Sequence, residues 1–331
     1  MTDAQARLDA LAKPQGSLGR LERLAARLAA TQGRLDPRTR PRRLVVFAGD
    51  HGVVAEGVGI WPAEVTGAML RLMRAGRSSA CALAGAAGAD FLLVDAGSKA
   101  EGIPPGPGFL DARVGRGTAS FAHGPAMTPA EFDAAWALGA RVARESAEAG
   151  FAVLALGEMG IGNSTAAAAL GALLTGASVE AMVGPGAGAT PESLARKRAV
   201  VAAGLAHARA APDPRAAIAA LSGFEIAALA GCIAEAARRR VTVVLDGLIV
   251  GAAALVAQRL DPGALGSAIA AHIGAEPGHA RMLAALGLEP FLDWGLRLGE
   301  GTGAALLLPL LDAAAALLTE VATLEEVLAG G

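Results

Sequence analysis

Aromatic residues are scarce in this 331-residue sequence, at only 3%, and there are just two cysteines, Cys81 and Cys232. The cysteines lie far apart inside small-apolar helical patterns. A disulfide framework or a cysteine metal site is therefore not expected, and buried free thiols in a reducing compartment are. The formal net charge is −2, which leaves no overall electrostatic footprint for nucleic acid. Local basic clusters, as in Pro37–Arg43 "PRTRPRR" and at Arg238–Arg240, have no aromatic interleaving and read as solvated turns and helix ends. The opening "MTDAQARLDA" lacks the basic-then-apolar pattern of a secretory signal. The two most apolar stretches, Val241–Ala257 and Gly303–Leu318, are interrupted by Asp246 and Gly247 and by Pro309 and Asp312. Neither offers an unbroken span of about 20 apolar residues, so a cytoplasmic location without a membrane span is expected.

Several catalytic signatures are also missing. No G-x-x-x-x-G-K-[ST] phosphate loop and no G-x-S-x-G nucleophile elbow occurs. His272 and His279, in "HIGAEPGH", are separated by Pro277 and Gly278, which break the helix that an H-E-x-x-H metal site needs. No adjacent acidic pair precedes a phosphate loop, so the magnesium-pyrophosphate apparatus of an ordinary phosphoribosyl-diphosphate enzyme is not present.

What the sequence does contain is alanine, leucine, valine and glycine, 53% of it hydrophobic, enough to bury a sizeable core. Leu8, Leu11, Leu18, Leu21, Leu24 and Leu28 recur at helical spacing on either side of a break at "KPQGS". From Arg43 onward, short apolar runs alternate with alanine-rich helical segments, the pattern of a parallel sheet with crossover helices. The expected strands are Leu44–Ala48, Phe91–Val94, Phe151–Leu156, Val241–Leu245 and Ser267–His272, and beyond residue 280 the pattern is again helical. Asp50 and His51, Asp95, Glu158, Asp246 and His272 follow or end these runs. At the carboxyl edge of an open parallel sheet such residues converge where ligands bind.

Three glycine-rich segments can carry chemistry. In "LGEMGIGNST", Gly157, Gly160 and Gly162 let the backbone turn, and Asn163, Ser164 and Thr165 can cap the following helix. That makes either an anion cradle at a helix N-terminus or a well-capped strand-to-helix turn. The dinucleotide fingerprint is incomplete, because Thr165 stands where its third glycine belongs. In "VGPGAGATPESLARKRAVV", Thr190 and Pro191 start a helix that carries Lys197 two turns in. In "LRLGEGTGA", Glu300 is held between glycines, three residues after Arg297.

Together these segments resemble the nicotinate-nucleotide dimethylbenzimidazole phosphoribosyltransferase family. The likeness runs in order through "KPQGSLGRLE" (13–22), "FAGDHGV" (47–53), "WPAEVT" (61–66), "LGEMGIGNST" (156–165), "GFEIAALAG" (223–231), "LDGLIVGAAAL" (245–255), "EPGH" (276–279) and "LRLGEGTGAAL" (296–306). The resemblance implies an α/β fold: a Rossmann-like parallel sheet with flanking helices (residues 37–280), plus a small helical domain from both chain ends (1–36 and 281–331), usually in a homodimer. It implies transfer of phosphoribose from nicotinate mononucleotide to dimethylbenzimidazole, giving α-ribazole phosphate and nicotinate, without metal or redox cofactor. Glu300 is then the base that takes the benzimidazole N–H proton. Glu158 orients the ribose hydroxyls or faces the oxocarbenium charge, and Lys197 supports Glu158 or balances substrate anions. Gly160, Gly162, Asn163, Ser164, Gly186, Asp246, His272, Arg297, Gly301 and Thr302 are expected to bind substrate. Many relatives carry G-R-G-T-G where this chain has Gly184, Pro185, Gly186, Ala187 and Gly188, and commonly have serine at Gly274, glutamine at Ala68 and glycine at Ser222. These departures bear on the acceptor base, so a related transferase using a purine or phenol is an alternative. Readings of a different kind are a nicotinamide-dependent oxidoreductase and a non-catalytic nucleotide-binding relative.

Overall fold

The computed structural model describes residues 2–186 and 188–330. Six strands, β1 (Arg42–Gly49), β2 (Asp90–Gly97), β3 (Phe109–Asp111), β4 (Val153–Met159), β5 (Thr242–Leu245) and β6 (Ala268–Ala270), form one sheet in the order β3-β2-β1-β4-β5-β6. Every neighbouring pair is parallel. The strands read as continuous apolar runs because both faces are covered. Along β1, Val45 and Phe47 enter one core while Leu44, Val46 and Ala48 enter the other. The first core is closed by the helices Pro129–Glu148, Asn163–Thr175, Phe224–Arg238 and Leu248–Leu260. The second is closed by Thr2–Ala10, Arg20–Gln32, Glu64–Arg74, Ser79–Ala86 and Thr302–Thr319, so helices from both chain ends meet on one face of the sheet.

The Thr302–Thr319 helix is long and apolar enough by composition to cross a membrane, yet here it packs on the sheet. Its Asp312 Oδ1 and Leu308 carbonyl accept hydrogen bonds from the buried Arg42 guanidinium, at 2.9 and 3.0 Å.

The expected strands are present, with three differences. Ser267–His272 contracts to Ala268–Ala270, after which His272 makes one isolated bridge with Leu292. β3, a short edge strand directly after the Pro/Gly-rich segment Gly97–Gly108, has no counterpart among the expected runs. Most consequentially, β4 runs on through Glu158 and Met159, because Gly157, Glu158 and Met159 pair with Val46, Phe47 and Ala48 of β1. Asp95 likewise lies inside β2. Glu158 is thus a strand residue fixed by a backbone ladder rather than the second residue of a loop.

The connections leave β1 and β4 toward opposite sides, so the sheet's topological switch point falls between them. In open α/β sheets a crevice opens at the carboxyl ends of such a strand pair.

Candidate active site

A cavity of about 830 Å³ occupies that crevice. Its polar wall carries Glu158, Asn163, Ser164, Lys197, Glu276 and Glu300. At the end of β4, Glu158 is buried; Asn163 Nδ2 donates to its Oε2, and its Oε1 lies against Gly299, where a Cβ would come within 2.5 Å. Burial, then the nearby Asp246 carboxylate, push the Glu158 carboxyl up to about 8, against the opposing Asn163 hydrogen bond.

Beyond β4 the chain turns at Gly160 and Gly162, and the Thr66 hydroxyl pins the turn by accepting from the Ile161 N–H at 3.1 Å. Gly162, with φ 94°, is itself the N-cap of the Asn163–Thr175 helix, and no side chain caps that end. The expected capping by Asn163 and Ser164 does not occur. Asn163 turns back to Glu158, and Ser164 Oγ accepts from Lys197 Nζ at 3.0 Å. This leaves a helix N-terminus, with its partial positive charge, facing the cavity.

Lys197 arrives on the Pro191–Arg209 helix, which starts with Thr190 as N-cap in a capping box with Ser193 and with Pro191 in the first turn. Lys197 is 2% exposed, and besides Ser164 its ammonium donates to the Gly184 carbonyl at 3.1 Å. No hydrogen bond joins it to Glu158. Burial lowers the Lys197 pKa while Glu276 opposes that shift. Glu276, which sequence reasoning passed over, accepts from the Gly186 N–H at 2.7 Å and so holds the second glycine loop in place. Ala187, in the same loop, lies outside the described residues.

Beside Glu158, Glu300 adopts φ 60° between Gly299 at φ 86° and Gly301 at φ 79°. A left-handed glutamate is uncommon and costs conformational energy. The surroundings enforce it. The backbone of this turn lies directly on β4 at Gly157, where a Cβ would fall 2.4 Å from the Gly301 nitrogen and 2.5 Å from the Glu300 carbonyl carbon. Gly157 in "LGEMG" therefore serves this contact, not a bend. Burial raises the Glu300 pKa, the Ala80 amide opposes the shift, and Asp246 adds to it.

The remaining candidates divide. Gly160, Gly162, Gly186, His272 and Arg297 line the cavity, Arg297 at its exposed rim. Asp246, Gly301 and Thr302 sit behind its wall: Asp246 accepts from the Gly301 and Ala304 amides, and the Thr302 hydroxyl donates to the Gly299 carbonyl. His272 Nε2 lies 3.4 Å from Asp246 Oδ1. Burial works to lower the His272 pKa, and Asp246 outweighs it to raise it. His279 accepts from the Gly274 N–H at 2.9 Å, and burial holds its pKa down to about 4, so it stays neutral.

Sequence reasoning also missed the apolar lining, supplied by Val58, Ile60, Trp61, Val65, Met69 and Leu298. Apart from the "WPAEVT" segment around Trp61, nothing in the sequence sets these residues apart from core. Ala68 is exposed, and its neighbours Val65 and Met69 supply that helix's lining. Among the described residues no group of three or more His, Cys, Asp or Glu side chains is arranged to hold a metal ion.

A cavity at the switch point of a parallel sheet, with buried carboxyls and an uncapped helix end, defines an α/β enzyme acting on a phosphorylated nucleotide-like substrate. The family model described as phosphoribosyltransferase matches residues 1–328, which narrows that class. A nicotinate-nucleotide–dimethylbenzimidazole phosphoribosyltransferase of Solidesulfovibrio magneticus is 46% identical over 97% of this chain and 91% of its own. The Mycobacterium avium protein of the same name is 47% identical, over 97% and 92%. The crystal structure of CobT from Thermus thermophilus superposes with a TM-score of 0.94 at 45% identity, covering 98% of this chain and 97% of that one. The chain belongs to the nicotinate-nucleotide–dimethylbenzimidazole phosphoribosyltransferase family.

Proposed function

We infer that the protein transfers phosphoribose from nicotinate mononucleotide to dimethylbenzimidazole, releasing nicotinate and forming α-ribazole phosphate for cobalamin synthesis. Family membership carries the reaction. The observation that carries the assignment of residues is that Glu158, Glu300 and the buried Lys197 line one cavity, with Glu158 lying against the Gly299 that precedes Glu300.

The donor's phosphate fits the Asn163–Thr175 helix N-terminus, with Lys197 and Ser164 beside it. This supports anion balance as the role of Lys197. The ribose then falls near Glu158 and Asn163. Before the donor binds, the raised Glu158 carboxyl keeps its proton at neutral pH and can donate to a ribose hydroxyl. The pyridinium cation of the bound donor favours the ionised form, which stabilises positive charge growing at C1′. As the C1′–N bond breaks, its electron pair neutralises the pyridinium ring, so nicotinate leaves without a general acid. One benzimidazole nitrogen forms the new bond to C1′, and the proton on the other passes to Glu300. No redox cofactor or metal enters this sequence.

Val65 and Met69 favour a benzimidazole over a purine. A purine's polar edge against these side chains would lose its hydrogen bonds with water and gain none. A homodimer belongs to the same reading, supported by the exposed Ile60, Trp61 and Leu298 that line the cavity and by the exposed Trp294, next in sequence to the lining Gly295. So does a cytoplasmic location, consistent with the free thiols of Cys81 and Cys232. Treating residues 1–36 and 281–331 as one helical unit is supported by the core shared by helices from both ends and by the bridge between Leu11 and Thr323.

The test is incubation with nicotinate mononucleotide and a panel of benzimidazoles, purines and phenols, with products identified by mass spectrometry. Dimethylbenzimidazole should give α-ribazole phosphate, and Glu300→Gln should abolish it. Absence of product with every base would overturn the reading.

A further inference from the structure

We propose that Asp246 is the positioning residue of this active site: from the end of a neighbouring strand it clamps the left-handed turn that aims Glu300 into the cavity, with His272 as its partner. The inference rests on the assignment of Glu300 as the base.

Asp246 follows β5, and Gly247 begins the Leu248–Leu260 helix as an N-cap without a side-chain hydrogen bond. The carboxylate does not cap that helix. It accepts instead from the amides of Gly301 and Ala304, both at 3.1 Å, at the start of the Thr302–Thr319 helix, whose own N-cap is a glycine with no side chain to offer. One buried carboxylate thus supplies, from a distant part of the chain, the cap that the glutamate-bearing turn cannot supply for itself.

The turn needs that clamp. Three successive residues, Gly299, Glu300 and Gly301, are left-handed, and Glu300 is one of only two non-glycine residues with positive φ among the described residues. Left to itself, a glutamate relaxes toward negative φ, which would swing its carboxyl away from the cavity. Gly157 blocks retreat toward the sheet, and Asp246 fixes the amide that follows Glu300. His272 completes the arrangement. Its Nε2 is 3.4 Å from Asp246 Oδ1, and Gly303 leaves room for the ring, which a Cβ there would meet at 2.1 Å.

The clamp is also a charge. Asp246 faces Glu300 and Glu158, which meet each other as well; Glu225 acts on Glu158, the Ala80 amide on Glu300, and Asp246 on His272. Removing the Asp246 charge should therefore make both glutamates more acidic, and removing the imidazole should do the reverse. A side chain that only braced the fold would move neither.

The experiment compares full-length wild type with Asp246→Asn, His272→Gln and Glu300→Gln in steady state from pH 5 to 9, with thermal melts as a folding check. Asparagine has one good acceptor where two amides need partners. Asp246→Asn should lower kcat roughly 30- to 100-fold, the cost of a misplaced base, with KM for nicotinate mononucleotide within about threefold and the acid limb of the kcat profile shifted to lower pH. His272→Gln should lower kcat less and shift that limb to higher pH. If Asp246→Asn does not fold, the limb of His272→Gln decides alone. A kcat within threefold of wild type in Asp246→Asn, or acid limbs unmoved in the variants that fold, overturns the inference. Full activity in Glu300→Gln would instead remove the assignment on which it rests.

Discussion

Replacing Glu158 by glutamine should make the empty protein more stable at alkaline pH than the wild type. The side chain is buried, and its carboxyl is raised from 4.5 to about 8. A group raised on folding adds full stability below its unfolded value and forfeits it as pH climbs through its folded value. A rise of that size corresponds to about 5 kcal/mol when complete, of which about 4 kcal/mol falls between pH 5 and 9. Glutamine keeps the volume and an acceptor for Asn163 Nδ2 but cannot ionise. Urea unfolding of both proteins at pH 5, 7 and 9 isolates the titration, since most other groups cancel in the difference. The stability of Glu158→Gln relative to wild type should climb by about 4 kcal/mol across that window. A difference constant within about 1 kcal/mol would refute the argument that burial and Asp246 hold the proton on Glu158. The same logic predicts that nicotinate mononucleotide, being cationic at the pyridinium, releases protons on binding at pH 7. Calorimetry in buffers of different ionisation enthalpy would detect this, and buffer-independent heats would count against it.

Two further perturbations test the frame and the anion end. Gly157→Ala places a methyl group 2.4 Å from the backbone of the Glu300 turn, so it should cost about 3 kcal/mol and most of kcat. Gly85→Ala, with nothing within 4 Å in an exposed helix, should stabilise by about 0.5 kcal/mol; denaturant melts that rank the two equally would contradict the packing described. Lys197→Met should raise KM for nicotinate mononucleotide roughly 30-fold through loss of a buried charge partner for phosphate. Nicotinate riboside, lacking the phosphate, should discriminate far less between the two proteins, and an equal loss for both donors would move Lys197 away from the phosphate.

The sequence by itself determined the sheet, the flanking helices and the chemical ingredients, because these rest on local regularities. Short continuous apolar runs such as Leu44–Ala48, alternating with helical segments, read as strands buried on both faces, and "GEMGIGNST" and "LGEGTG" keep their spacing whatever surrounds them. Sequence resemblance also put Glu158, Lys197 and Glu300 in one site before any geometry was known. The tertiary structure decided what those residues do to one another. Glu158 reads as a loop residue because glycine precedes it, yet Gly157 is small to admit the Glu300 turn, 143 positions away in the chain. Asp246 reads as a ligand at a strand end, yet its oxygens are spent on the amides of Gly301 and Ala304. Glu276 and Val65 fall in the matching "EPGH" and "WPAEVT" segments and Met69 in none, and nothing local marks any of them for its role, because an apolar wall or a loop-bracing carboxylate has no spacing rule. Backbone propensity and hydrophobic periodicity act between near neighbours and can be read in one dimension. Close approach, desolvation and the field of one carboxylate on another depend on distances that exist only once the chain has folded.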